Sequence, residues 1–183
     1  MKRTYTLLIF LLFCFAISLN GYGQNNFVTF ETTNQSNKIC QDKTLGVIAT
    51  LAPEYEGYKS FEWNGDSENF KEVKDEIAIV NSSTPGEKRL KFTLSIDEKQ
   101  KYETVFVVNV LPKPQVEVSY TNKKLGFSEI SSSKIASYKW VFNNTILPEN
   151  TKRIIDNPQL GKYRVVVTDS NGCITTSQEI IVE

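Results

Sequence analysis

Apolar and polar positions alternate along most of this chain, and the alternation is sharpest near its end. In Gly161-Lys162-Tyr163-Arg164-Val165-Val166-Val167-Thr168, residues Tyr163, Val165 and Val167 share one parity, while Lys162, Arg164, Val166 and Thr168 share the other. A period of two with β-branched enrichment predicts a half-buried strand with the Tyr163 side inward. Asp169-Ser170-Asn171-Gly172 is then a dense turn signal, because Asn-Gly supplies the positive φ that a hairpin needs. Ser177–Val182 predicts a closing strand. The same reading upstream predicts strands over Phe27–Phe30, Leu45–Leu51, Lys59–Trp63, Glu76–Val80, Arg89–Ile96 and Tyr102–Val110, with Thr32–Lys38 as polar loop. Glu68–Asp75 is charged and fits either a strand edge or a helical turn. These are about seven strands at the spacing of a β-sandwich.

Leu111-Pro112-Lys113-Pro114 breaks the pattern. Two prolines around a lysine cannot continue a ladder, and they stiffen the link. The pattern then repeats. Gln115–Tyr120 opens a second set and Lys124–Ile130 is a weaker strand. Tyr138-Lys139-Trp140 answers Phe61-Glu62-Trp63, Asn143-Asn144 answers Asn64-Gly65, and Arg153-Ile154-Ile155 answers Ile77-Ala78-Ile79. The two tryptophans lie 77 residues apart, about one small sandwich domain. The expected organisation is therefore all-β, with two tandem sandwiches at 24–111 and 115–183 joined by the linker 112–114.

The N-terminus stands outside this pattern. Lys2 and Arg3 precede an apolar run from Leu7 to Leu19, too short to span a bilayer comfortably. Gly21-Tyr22-Gly23 places small residues where a signal peptidase reads, so residues 1–23 are expected to be a signal peptide cleaved before Gln24. A retained anchor is the alternative. Cys14 does not make a lipobox, since the bulky Phe13 precedes it. Cleavage leaves 19 basic and 21 acidic side chains, a net charge of −2. Such a chain has neither the basic footprint of a nucleic-acid binder nor a polybasic membrane patch. The mature chain has no further run long enough to span a membrane. It is expected in the periplasm or at the cell surface.

Composition also narrows the chemistry. The chain contains no histidine. That removes Ser-His-Asp and Cys-His nucleophilic machinery and the commonest zinc ligand. Two cysteines survive cleavage, Cys40 and Cys173, in a compartment where disulfides persist. Cys40 is expected just before the second strand, at the end from which the chain leaves the first sandwich. Cys173 is expected in the last turn of the second, at the end where the chain enters it. Neither half holds a second cysteine, so an inter-domain bridge is expected; two free thiols and bridges to other chains are the alternatives. A closed loop of over 100 residues corresponds to roughly 4–5 kcal/mol of chain entropy before strain.

The second half resembles the immunoglobulin-like or PKD-like repeats of Bacteroidetes surface and secreted proteins. The residues that carry the likeness are Tyr138-Lys139-Trp140, Gly161-Lys162-Tyr163 with the valines after it, Asn171-Gly172-Cys173 and Ile180-Ile181-Val182. The first half is looser, with Cys40 and Phe61-x-Trp63 but no Gly-x-Tyr. The resemblance implies immunoglobulin-like sandwiches used as spacers or binding modules in adhesins and polysaccharide-degrading complexes. Display through an appended sorting domain is not expected.

Each remaining candidate has a plain structural reading beside it. Trp63, Trp140 and Tyr163 are expected as core pins rather than sugar platforms. Tyr55 and Tyr58, flanking Gly57 in a loop, are the candidates for exposed ligand contact, against packing on the sandwich rim. Asp66-Ser67-Glu68-Asn69 and Asp169-Ser170-Asn171 offer oxygen ligands but do not complete a calcium loop, and turn chemistry accounts for them. Glu54 and Glu56 mimic an acid pair, but two small sandwiches offer no cleft to hold it across a glycoside. The expectation is a non-enzymatic module with no cofactor, no metal and no nucleic acid. Its partner is expected to be an envelope or surface protein, with a glycan bound through loop aromatics as the alternative.

Overall fold

The computed structural model describes residues 27–55, 60–96, 100–131, 133–148 and 151–183. The predicted signal peptide lies outside them. In chain order the strands are β1 (Val28–Thr32), β2 (Lys38–Cys40), β3 (Gly46–Leu51), β4 (Phe61–Asn64), β5 (Phe70–Lys74), β6 (Ile77–Val80), β7 (Gly86–Ser95) and β8 (Lys101–Leu111). They continue as β9 (Val116–Thr121), β10 (Lys124–Glu129), β11 (Ile135–Phe142), β12 (Thr145–Ile146), β13 (Ile155–Asp156), β14 (Gly161–Asp169), β15 (Ile174–Thr176) and β16 (Ile180–Val182).

Strands β1 to β8 form two sheets in the orders β1-β3-β6-β5 and β2-β8-β7-β4. Strands β9 to β16 form two more, β13-β10-β9 and β12-β11-β14-β15, with β16 also paired to β14. In both halves the third major strand crosses to the second sheet and pairs with the penultimate long strand. That is the connectivity of an immunoglobulin-like sandwich. Period-two burial drives it. Along β14 the pattern is strictly alternating, and Tyr163, Val165 and Val167 are 3%, 0% and 0% exposed.

Each half has its own core. In the first, Leu45, Val47, Leu90, Phe92, Leu94 and Val108 are fully buried around Trp63, and Phe30 lies 5.5 Å from Trp63 and 5.3 Å from Phe106. In the second, Leu125, Phe127, Trp140, Tyr163, Val165 and Val167 close the space. Each fully buried Leu or Val contributes about 1.5–3 kcal/mol relative to exposure. Among the described residues, no core cluster runs across the linker between Val110 and Val116.

The structure refines four local expectations. Cys40 precedes the Gly46–Leu51 strand as expected, but it also ends β2, an additional short strand that pairs in parallel with β8. Three residues with one inward side chain, Ile39, are too few to show a period, and the partner is remote in sequence. The ambiguous Glu68–Asp75 resolves into a 3-10 turn over Ser67–Asn69 and strand β5. Arg153–Ile155 is not a strand matching Ile77–Ile79; only Ile155–Asp156 pairs, because Arg153 turns aside to lie 4.5 Å over the Phe127 ring. The closing strand is split. Ser177 Oγ accepts the Val165 N–H at 3.0 Å, and the pairing with β14 shifts by one residue between β15 and β16, as at a bulge.

Candidate functional site

The feature that ties the halves together is a disulfide. Cys40 and Cys173 are bonded, with Cα atoms 5.5 Å apart across 133 residues of sequence. Strand β2 holds Cys40 beside Leu111, the last residue of β8, and the Gln41 N–H donates to the Leu111 carbonyl at 2.8 Å. Cys173 sits in the turn between β14 and β15, fully buried. Asp169 shapes that turn: one carboxylate oxygen accepts from the backbone N–H of Asn171 at 2.9 Å and of Cys173 at 2.8 Å. The turn also touches the preceding loop, where the Ser170 N–H donates to the Lys134 carbonyl at 2.9 Å. The linker is anchored too. Lys113 pairs with Asp42 at 2.7 Å, and Pro114 is buried.

The aromatic candidates are mostly covered. Trp63 is 8% exposed and Trp140 1%. Their indole N–H groups differ. Trp140 Nε1 donates to the Lys152 carbonyl at 3.1 Å, whereas Trp63 Nε1 meets no acceptor among the described residues. Tyr55 is half-buried, its ring 6.4 Å from Phe27 and 5.7 Å from Tyr102. Tyr58 and Glu56 lie outside the described residues. Tyr163 enters β14 two residues after Gly161. Burial pushes its hydroxyl above the usual 10.0, and a hydrogen bond to the Gln159 backbone, four residues upstream, pulls the other way. A tyrosine so placed, bonded to the backbone just before its strand, is the tyrosine corner of this architecture. Gly161 is required there: at φ +147° a Cβ would stand 2.6 Å from Phe142 Cε2.

Among the described residues no three metal-ligating side chains converge. Asp66 and Asn69 serve their turn, with the Asn69 N–H donating to the Asp66 carbonyl at 2.9 Å and Asn69 Nδ2 to the Arg89 carbonyl. Open clefts among the described residues include two without catalytic pairs. One of about 220 Å³ is lined by Phe142, Leu147, Ile155, Tyr163 and amide side chains. The other, of about 350 Å³, runs beside Lys43, Lys71 and Ser82, and its one carboxylate, Asp42, is the partner of Lys113. Neither brings together a pair of carboxylates. Sequence reading missed the parallel β2–β8 pairing and the Asp42–Lys113 anchor, but did read Asp169 as a turn residue. The two missed features join residues remote in sequence and carried no local signal, whereas Asp169 opens a turn with Asn-Gly.

No known family profile matches the chain, and no curated protein matches it. Several solved structures align with it at low similarity. Fibronectin(III)-like modules of Clostridium thermocellum CbhA align with a TM-score of 0.38 and 14% identity over 86% of this chain and 94% of theirs. The insect immune protein hemolin aligns with a TM-score of 0.40 and 12% identity, over 80% of this chain and 44% of its own. Bacteroides ovatus SGBP-B, solved with a mixed-linkage heptasaccharide, aligns with a TM-score of 0.33 and 17% identity, over 80% of this chain and 42% of its own.

Proposed function

We propose that this protein is an exported, non-catalytic module of the bacterial envelope or cell surface that acts by contacting other proteins or by spacing them. One observation carries the choice of protein over glycan. Every described aromatic side chain is buried or half-buried, and the large apolar side chains left exposed among the described residues are all aliphatic: Val73, Ile77, Ile130, Ile146, Ile154, Leu160, Ile174 and Ile181. Sugar rings are held by exposed aromatic faces; aliphatic side chains among charges suit a protein surface. The inter-domain disulfide supports export, because such bonds persist in oxidising compartments. It also supports a spacer role, because it restrains the angle between two sandwiches. No helix among the described residues is long and apolar enough to cross a membrane.

A panel of immobilised polysaccharides tests the reading. The mature chain is expected to bind none. Retention on a glycan that is lost on Tyr55→Ala or Tyr58→Ala overturns it in favour of a carbohydrate-binding module.

A further inference from the structure

The cleft of about 350 Å³ lies across the end of β6, where Asn81, Ser82 and Ser83 line it. The polar groups of these three residues are spent on the protein itself. Ser82 is buried; its Oγ donates to the Lys43 carbonyl, and its own carbonyl accepts the Asp42 N–H at 2.9 Å. Ser83 Oγ donates to Asn81 Oδ1 at 2.8 Å, and Asn81 Nδ2 donates to the Glu68 carbonyl at 2.7 Å. Gln41 Nε2 donates to the Ser83 carbonyl at 2.9 Å. These bonds tie the turn before β3 and the 3-10 turn before β5 to the end of β6. The floor is therefore fixed without a ligand, which lowers the cost of binding one.

Two lysines line the cleft from opposite sides of that floor. In the sheet, β6 lies between β3 and β5. Lys43 comes just before β3, and Lys71 lies in β5. The β5–β6 register shifts between Phe70 and Glu72, so Lys71 is the extra residue of a bulge. Bulges re-aim side chains in this way. Both lysines are exposed, and neither has an ion-pair partner among the described residues. Thr44 adds an exposed hydroxyl beside Lys43. The one acidic lining residue, Asp42, is held by Lys113 at 2.7 Å. The cleft thus carries two uncompensated positive charges. Residues 24–111 hold 14 carboxylates and 10 basic side chains, so a generally basic surface does not account for them.

We propose that this cleft takes an acidic, extended segment of a partner protein, whose carboxylates at alternate positions engage Lys43 and Lys71. The proposal rests on the protein-contact reading above and names the chemistry of the partner. Neighbouring strands run about 4.8 Å apart, so the backbones on either side of β6 stand roughly 10 Å apart. Alternate residues of an extended chain lie about 7 Å apart on one face, a span that the long lysine stems close. A single small ion meets both ammonium groups only by drawing them together against their own repulsion. Complementary charge supplies specificity and encounter rate more than affinity, so the contact is weak and salt-sensitive.

Titration of the isotope-labelled mature chain with acetyl-Glu-Ser-Glu-amide, followed by amide nuclear magnetic resonance at low ionic strength, tests this. Saturable shifts are expected at Lys43, Thr44, Lys71 and Ser83, with a Kd of about 1 mM. Acetyl-Gln-Ser-Gln-amide is expected to leave them unmoved. The pair Lys43→Gln and Lys71→Gln is expected to weaken binding about five- to tenfold with an unchanged unfolding midpoint, since it removes two exposed charge contacts from the complex and none from the free protein. The inference is overturned if no saturable shift occurs at these residues, if the amide peptide shifts them equally, or if the double variant binds like the wild type. Sodium sulfate at matched ionic strength is expected to bind more weakly than the acidic peptide; equal or tighter binding of sulfate makes this a site for a bare anion and overturns the peptide assignment. None of these results touches the protein-contact reading, which is decided on the polysaccharide panel.

Discussion

The two tryptophans occupy equivalent strands but unequal surroundings, and replacing each with phenylalanine should expose the difference. Both substitutions shrink a buried side chain, at a cost of roughly 1–2 kcal/mol in lost burial and residual cavity. At Trp140 the change also removes the Nε1 hydrogen bond to the Lys152 carbonyl. That bond contributes about 1 kcal/mol net, and more when its acceptor is left without a partner. At Trp63 the change deletes a buried donor that has no acceptor among the described residues. Relief of such a donor returns about 1–3 kcal/mol. Trp140→Phe should therefore cost about 2–4 kcal/mol more than Trp63→Phe, and Trp63→Phe should lie within about 1 kcal/mol of neutral. Urea unfolding followed by far-ultraviolet circular dichroism measures both. The tryptophan remaining in the other sandwich reports by fluorescence whether that half is undisturbed. Equal costs at the two positions would refute the reasoning.

The other predictions use the same readout. Cys40→Ser with Cys173→Ser removes a cross-link over 133 residues, for which chain entropy gives about 5 kcal/mol, and small-angle scattering should show the two halves gaining freedom; an unchanged midpoint and profile would exclude a restraining role. Gly161→Ala should cost about 2–4 kcal/mol, since its Cβ would stand 2.6 Å from Phe142 in a conformation that L-residues avoid. Gly86→Ala, also at positive φ but with nothing within 4 Å, should cost only about 1–2 kcal/mol. Tyr163 carries a raised ionisation in the folded state, so its contribution is complete below the unfolded value of 10.0 and is lost as pH rises through the folded one. Stability should fall more steeply above about pH 10 in the wild type than in Tyr163→Phe; parallel profiles would exclude this.

Local pattern was enough for much of the fold. Strands such as β7, β8, β11 and β14 announced themselves because a half-buried strand must alternate, and their runs are long enough to display the period. Trp63 and Trp140 marked the repeat because a sandwich needs one large side chain per core. Other elements were hidden for equally physical reasons. Strand β2 is three residues long and earns its place through β8, some seventy positions downstream. The break between β15 and β16 depends on a serine hydroxyl replacing a backbone acceptor opposite Val165. Nothing in Ser177 and its neighbours states that.

Sequence alone, then, determined the architecture: two sandwiches, a proline-bounded joint between them, and the absence of histidine chemistry. Those properties depend on side-chain periodicity and composition, which are local and countable. Tertiary structure decided what the chain presents to its surroundings. It bonded Cys40 to Cys173, and among the described residues it left one indole N–H satisfied and the other not. Neighbourhoods of that kind are set by strand order and register, and these bring together residues whose separation along the chain carries no sign of their contact.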